Sequence, residues 1–522
     1  MSEITANVPI EGSNEDVRQA KRDKWIYPLN QLGSGTLQAF FPTFLPALLN
    51  TVFFFTVAVA GVVEVLSLAV AWVAGPIAGA MIDRVRFKKS KYWPWFIIGG
   101  GGAALGWIIV YSIPTLSANP TSFMVLVAVV LMLQRMLQQA SAATGNMMYA
   151  RVAQDGKQRS MQAMWGKVAR EAIRAIVGFL FPLAVIFFMA GGMLEHNAWT
   201  IIAIILGGFA FTCQCVAAAL TKRSKPEQDA LQGIGISKKG SSLGKTLVTI
   251  FTNRALLSIY IANSLLKVFF FYHIIGGFLI WRYFFGNWAM MSVYMTLLAT
   301  TSTLGAFITP FAYKILKDAK RGAIVSLIGQ IAIYAIAFFV MSPENMMGTL
   351  VLLATAMLFN GLSDAFMQPL FAHGADYSTL KSGNKDYGLN MTTFALSITT
   401  GNMLSAASRS WFLDRVGYDG ATINAIATDI LYGVEGFAGP APPMAMAYLR
   451  SIGYSASEAV ARVVPAEILG VIHNINTLLP LIISVVIILI LVFIYPLNDK
   501  KVLDIQRQIA ERDAAAGNAP AK

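Results

Sequence analysis

Charge is scarce in this chain. Only 13% of its 522 residues are Asp, Glu, Lys or Arg, 56% are hydrophobic, and mean hydropathy is +0.60. Soluble domains carry about 25% charged residues, so a water-soluble fold is excluded and the chain reads as a polytopic membrane protein. Cysteine is rarer still. Cys213 and Cys215 lie inside one apolar run and read as packing residues, which excludes a disulfide framework or a thiolate metal site. Histidine numbers four; His273 and His473 stand without clustered ligands and read as ordinary helix residues. No nucleophile–base set, phosphate-binding loop or metal cluster is present, so neither an enzyme nor a cofactor is expected. The first 24 residues are polar and charged, and the first apolar run is far longer than the core of a secretory signal, so none is expected.

Long apolar runs are what the chain does have. A bilayer core of about 30 Å needs about 20 apolar residues per helix. Twelve such runs stand at 28–50, 55–80, 95–117, 121–149, 165–190, 199–221, 255–282, 288–315, 322–342, 346–372, 387–414 and 467–495. Lys and Arg crowd the N-terminus (Arg18, Lys21, Arg22, Lys24) and the loops at 84–91, 151–159, 222–245, 314–321 and 381–385. They also fill the tail from Lys500, whereas the alternate loops near 118 and 190 have none. By the positive-inside rule both termini are cytoplasmic. The net charge of +13 therefore faces the anionic cytoplasmic leaflet and not a nucleic acid. The expected organisation is all-α: a tail at 1–27, a six-helix half at 28–221, a basic linker at 222–254, a second half at 255–495 and a tail at 496–522. Two six-helix halves match the repeat plan of secondary transporters. An external insertion at 416–466, with Gly-Pro-Ala-Pro-Pro at 439–443 and short helices around 445–452 and 457–463, reads as a lid or as decoration, with decoration favoured because long loops vary freely.

The loop after the second run carries Gly79, Asp83, Arg84, Lys88 and Lys89. This G-x-x-x-D-R-x-x-x-K-K pattern resembles the signature loop of the major facilitator superfamily, with Gly79 allowing close helix approach and Asp83 and Arg84 clamping a neighbouring helix end. Further stretches resemble one branch of it, the glycoside-pentoside-hexuronide:cation symporters. They are Asp376-Tyr377-Ser378-Thr379-Leu380-Lys381-Ser382-Gly383 with Tyr387-Gly388-Leu389, and Tyr495-Pro496-Leu497 with Lys501. Asn253-Arg254 and Gly417-Tyr418 also fit. The resemblance implies the major facilitator fold, alternating access around a central site, and a cytoplasmic gate at Gly79, Asp83, Arg84 and Asp376. The departures are informative. Where the family's second span carries D-x-x-N-D-P, this chain has Ala71-Trp72-Val73-Ala74-Gly75-Pro76. The acid of span four falls on Ala142, its aromatic on Asn146, and the lysine of span eleven on Thr399. Span one offers only Asn30, Gln31, Ser34 and Thr36 in place of the sugar-binding acid. A hard cation needs several oxygen ligands, so the family's sodium site is not expected here.

Polar groups inside spans are functional candidates by default. Span four offers Arg135, Gln138, Gln139 and Asn146 on one stripe. Span five offers Lys167, Arg170, Glu171 and Arg174; Lys167 either meets solute, as the family's arginine there implies, or snorkels to the surface. Span seven offers Asn263 and Lys267. Span ten offers Asn360, Asp364 and Gln368 at four-residue steps; Asp364 either takes a proton or pairs with Lys267. Thr399 completes the expected solute site. Asp364, Glu171 and Glu64, the last close enough to the outer surface to be wet, are the proton-coupling candidates. The deeper groups Arg135, Lys167, Arg170, Arg174 and Lys267 outnumber Glu64, Glu171 and Asp364, a balance suited to an anionic solute. The expected function is secondary active transport of a sugar, glycoside, uronide or related small organic solute across the inner membrane by a monomer. Coupling is to protons or absent. The alternatives are an organic-anion (carboxylate or sulfonate) transporter, exchanger or exporter and, more remotely, a transport-inactive receptor or scaffold.

Overall fold

The computed structural model describes residues 14–53, 55–85, 87, 90–113, 120–152, 156–232, 248, 252–382, 387–432 and 442–515. Most of the linker expected at 222–254, and the side chains of Asp83, Arg84 and Lys167, lie outside the described residues. Twelve long helices follow one another. They are α1 (Ile26–Ala47), α2 (Val57–Arg84), α3 (Trp93–Ser112), α4 (Pro120–Val152), α5 (Gly156–Ala190) and α6 (Glu195–Thr221), then α7 (Arg254–Leu279), α8 (Met290–Leu316), α9 (Ala319–Val340), α10 (Met346–Ser382), α11 (Tyr387–Arg415) and α12 (Ala466–Ile494). Among the described residues, ten are long and apolar enough to cross a membrane, and α1 and α11 are not among them. Both read as apolar runs in the sequence, yet they bury Asn30, Ser34, Thr36 and Thr43 in one case and Thr393, Ser397, Asn402, Ser405 and Arg409 in the other. Their polarity belongs to the protein interior, not to lipid.

Neighbour relations repeat between α1–α6 and α7–α12. In the first set α1 packs on α5 and α6, α2 on α4, and α3 on α4 and α6. In the second α7 packs on α11 and α12, α8 on α10, and α9 on α10 and α12. The two sets meet along α2–α11 and α5–α8. Small residues let helix backbones touch where lipid provides no hydrophobic drive for association. A Cβ on Gly361 of α10 would collide with the Ser302 carbonyl of α8, and one on Gly305 with the Leu358 carbonyl. Gly99 abuts the Ser141 backbone of α4, as the Gly99–Gly102 run suggests. Among the described residues a Cβ on Gly79 would meet Met147 alone, at 3.9 Å, so the close approach expected at the signature loop is not found there. Close approach falls on Gly61 against Ser410 and Gly178 against Met295, both between the sets.

The two ends of the bundle differ. On the side away from the chain termini, one apolar core draws on both sets, with Phe44 edge-on to Trp288 at 6.4 Å, and Arg282 Nη1 reaches Glu195 Oε1 at 3.1 Å. On the terminal side each set has its own core. Among the described residues, the two sets share a core on one side (the closed side) and have separate cores on the other. The 416–466 segment is no decoration. Its helices Gly420–Tyr432, Pro442–Ser451 and Ala456–Val463 bury Ile423, Met446, Leu449 and Val460 in the shared core, and Arg450 Nη2 donates to the Phe285 carbonyl at 2.8 Å. They cap the closed side.

On the terminal side, two helices outside the bundle hold the loops. In Lys225–Leu231, Glu227 is buried and accepts the backbone N–H of Lys91 at 2.6 Å, that of Tyr92 at 3.1 Å and the Ser90 hydroxyl. In Asp499–Ala515, Asp499 accepts the N–H of Ala319 at 3.3 Å and the Tyr313 hydroxyl. Each set thus clamps the loop after its second helix with an acid from the helix after its sixth.

Gly361→Ala is expected to destabilise the protein by about 1–3 kcal/mol through overpacking. Gly208→Ala, with nothing within 4 Å of its added methyl, is expected to show no steric loss; melting in detergent compares the two. Asp23 is buried beside the Lys225 N–H, and burial raises its carboxyl from 3.8 to about 6. A carboxyl raised on folding contributes stability that is full below its unfolded value and lost as pH climbs through the folded one. Asp23→Asn is therefore expected to raise the melting temperature at about pH 7.5, and the gain to vanish near about pH 4.

Candidate functional site

Charge gathers where the sets meet. In α5, Glu171 is buried; Arg174 Nη1 donates to its Oε2 at 2.6 Å, while Arg170 Nε stands 3.6 Å from Oε1, too far for a hydrogen bond. In α7, Lys267 Nζ lies 2.5 Å from Asp364 Oδ1 of α10. Phe270 joins the two pairs. The Arg174 guanidinium and the Lys267 ammonium stand 5.4 and 5.5 Å from its ring centroid, held by the negative face of the ring. Three cations meet two carboxylates here, leaving one positive charge in excess among the described residues.

Glycines place these side chains. A Cβ on Gly35 of α1 would sit 3.2 Å from Arg170, and one on Gly401 of α11 would meet the Ser264 carbonyl at 2.5 Å and crowd the Lys267 stem. Polar neighbours hold the same helices in register: Asn263 donates to the Ser397 hydroxyl at 2.7 Å, and Tyr260 and Thr400 share a hydrogen bond of 2.6 Å. Asn360 is buried, and its amide nitrogen has no hydrogen-bond partner among the described residues.

The remaining expected residues divide. Arg170, Glu171, Lys267 and Asp364 come together, with Asn263 and Asn360 one turn away along α7 and α10. Gln139 and Thr399 are half-buried, and Asn146 and Gln368 are exposed. Arg135 is buried against the Trp107 ring at 5.2 Å and belongs to a second charged group. That group corrects one expectation. Glu64 is not wet; it is 2% exposed, and Arg409 Nη2 of α11 donates to it at 2.7 Å. Asp376 is buried and accepts from Gln506 of the C-terminal helix at 2.8 Å, so it ties α10 to that helix. A small recess bounded by Asn50, Phe278, Arg409 and Tyr418 lies at the closed side, away from the charged centre.

A sequence profile described as MFS/sugar transport protein matches residues 26–437. The chain belongs to that family. No curated protein matches it. Solved structures share its fold. A bacterial homologue of human drug peptide transporters superposes with TM-score 0.57 at 12% identity, covering 94% of this chain and 100% of its own. A bacterial homologue of the human lysosomal transporter Spinster, solved inward-facing and occupied, gives 0.54 at 13%, covering 92% and 97%. The nucleoside transporter NupG gives 0.52 at 15%, covering 77% and 92%. This member of the MFS/sugar transport family is thus a multi-pass membrane transport protein and not an enzyme.

Sequence reasoning missed Arg409, Phe270 and the Glu195–Arg282 pair. Arg409 carried a usable signal, an arginine inside an apolar run. Phe270 carried none: in Phe269-Phe270-Phe271 nothing marks the ring that two cations share. Removing one partner of a buried pair leaves an uncompensated charge, at about 3–5 kcal/mol for full burial, whereas replacing both costs little. Asp364 is partly exposed, so Lys267→Ala is expected to cost less than that. The double variant Lys267→Met/Asp364→Leu should recover most of the loss in thermal denaturation.

Proposed function

We propose that this family member is a secondary transporter of the glycoside-pentoside-hexuronide:cation symporter type, with twelve spans, both termini cytoplasmic, in the cell inner membrane. Its halves are residues 28–221 and 255–495, joined by the linker at 222–254. Its solute is a sugar acid or a related small organic anion, moved by rocking of the halves. The carrying observation is the charged centre between α5, α7 and α10, where Arg170, Arg174 and Lys267 outnumber Glu171 and Asp364. Arg170 makes no hydrogen bond through Nε in its loose 3.6 Å pair with Glu171, and its side chain is 36% exposed, so it is the cation best placed to grip a carboxylate. Lys167 is a further candidate on the same helix. Gln139, Asn146, Gln368 and Thr399 line the path, and Asn263 and Asn360 serve hydroxyl groups.

Coupling is to protons and not to sodium. A solute carboxylate that takes Lys267 competes with Asp364, and a proton on Asp364 removes that competition. The signature-loop residues Gly79, Asp83 and Arg84, together with Asp376, serve the cytoplasmic gate. The organic-anion reading uses the same cations, and solute competition separates the two.

Uptake into proteoliposomes is the test. Glucuronate uptake driven by an inward proton gradient is expected, insensitive to sodium and not competed by glucose. Arg170→Ala should lower it by about tenfold or more, the worth of a charged hydrogen bond in a desolvated site. Asp364→Asn should retain exchange and lose proton-driven accumulation. Uptake of simple aryl carboxylates or sulfonates without glucuronate would select the organic-anion reading. Sodium-driven uptake of a neutral sugar, unaffected by Arg170→Ala, would overturn the assignment.

A further inference from the structure

Glu64 stands on α2, which packs against α4 on one side and α11 on the other, and each of those helices buries one arginine. Arg409 of α11 belongs to the second half, and its Nη2 donates to Glu64 Oε2 at 2.7 Å. Arg135 of α4 belongs to the same half as Glu64. All three side chains are buried, at 2%, 3% and 6% exposure for Glu64, Arg409 and Arg135. Arg409 meets the carboxylate through Nη2, its Nη1 being buried without a hydrogen-bond partner among the described residues, whereas Arg135 makes no hydrogen bond to it. Nε and Nη2 of Arg135 are buried with no hydrogen-bond partner among the described residues; the Trp107 ring 5.2 Å away is its aromatic contact. Tyr111, also near, already donates its hydroxyl to the Phe41 carbonyl at 2.9 Å.

Opening the closed side must separate α2 from α11, because Gly61 and Ser410 are in contact within a turn of the ion pair. That movement strips Arg409 from Glu64. A buried carboxylate left alone is costly enough to stall the transition. Arg135 travels with Glu64, since α2 and α4 pack along each other, with Gly75 facing Gln139 and Gly79 facing Met147. We propose that Glu64 exchanges Arg409 for Arg135 when the closed side opens, so that the unfilled N–H groups of Arg135 are the reserved partner of the open state. Glu64 then keeps a counter-charge in both states and acts as a conformational latch. The exchange needs only that the halves part on this side, whatever the solute.

Two arginines on one carboxylate then act with opposite sign. Asn50 lines the recess at the closed side and is 8% exposed, so a cysteine there reports opening. In a Cys213→Ala/Cys215→Ala background, maleimide labelling of Asn50→Cys is followed in nanodiscs. Arg409→Gln removes the closed-state partner and should speed labelling by about tenfold, a typical coupling between two states. Arg135→Gln removes the open-state partner and should slow it by a similar factor. In a Glu64→Gln background both effects should disappear. Arg135→Lys, which keeps charge but not the fork, should slow labelling less, and serves where Arg135→Gln fails to fold. If Arg135→Gln leaves the rate unchanged or raises it, or if its effect survives in Glu64→Gln, the exchange is wrong and a bound water satisfies Arg135 instead.

Discussion

A charge buried in a bundle surrounded by lipid has to find its counter-charge inside the protein, because an unpaired ion there costs several kcal/mol. The architecture follows from where this chain meets that requirement. Glu64–Arg409 and Glu195–Arg282 each join one half to the other, and Arg174 reaches across to the Phe270 ring that Lys267 shares. None of these contacts holds a half together. They hold the halves to each other, and so they are the contacts that a rocking motion must break or exchange.

Apolar packing decides which side they close. A single core with Phe44, Trp288 and Tyr294 spans both halves away from the termini, and the segment after α11 caps it with Ile423, Met446 and Val460. On the terminal side the cores are separate, and each half is braced internally, by Glu227 in one and Asp499 in the other. Acids that clamp loops within a half stiffen it as a rigid body without joining it to its partner. Stiff halves, reversible contacts between them and one parted side are the physical ingredients of alternating access.

Where the symporters that the sequence resembles carry a carboxylate-rich motif in the second helix, this chain has Ala71 to Pro76, and its charged centre stands on α5, α7 and α10. Such a shift changes what the centre can recognise, since cations in excess select for a carboxylate where acids select for hydroxyl groups. The glycines at 35 and 401 let helices approach closely enough for those cations to share one ring.

Much of this was legible in the residues themselves. Scarce charge, runs of about 20 apolar residues and basic loops at alternate ends specify a polytopic helical bundle in two halves, because hydropathy and length act locally along the chain. The Lys267–Asp364 pair was one of two readings open for the lone opposite charges in the seventh and tenth apolar runs, and the structure brings them together. What the chain order could not reveal was contact between distant segments. Gly79 looked like a packing glycine and Gly61 did not, yet only Gly61 faces another helix closely. Glu64 looked wet, and its burial depends on Arg409, 345 residues further on. The insertion after α11 looked dispensable and is part of the core. Sequence determined which segments lie in the membrane; tertiary packing alone decided which charges meet, because pairing depends on helix rotation and proximity that no local pattern encodes.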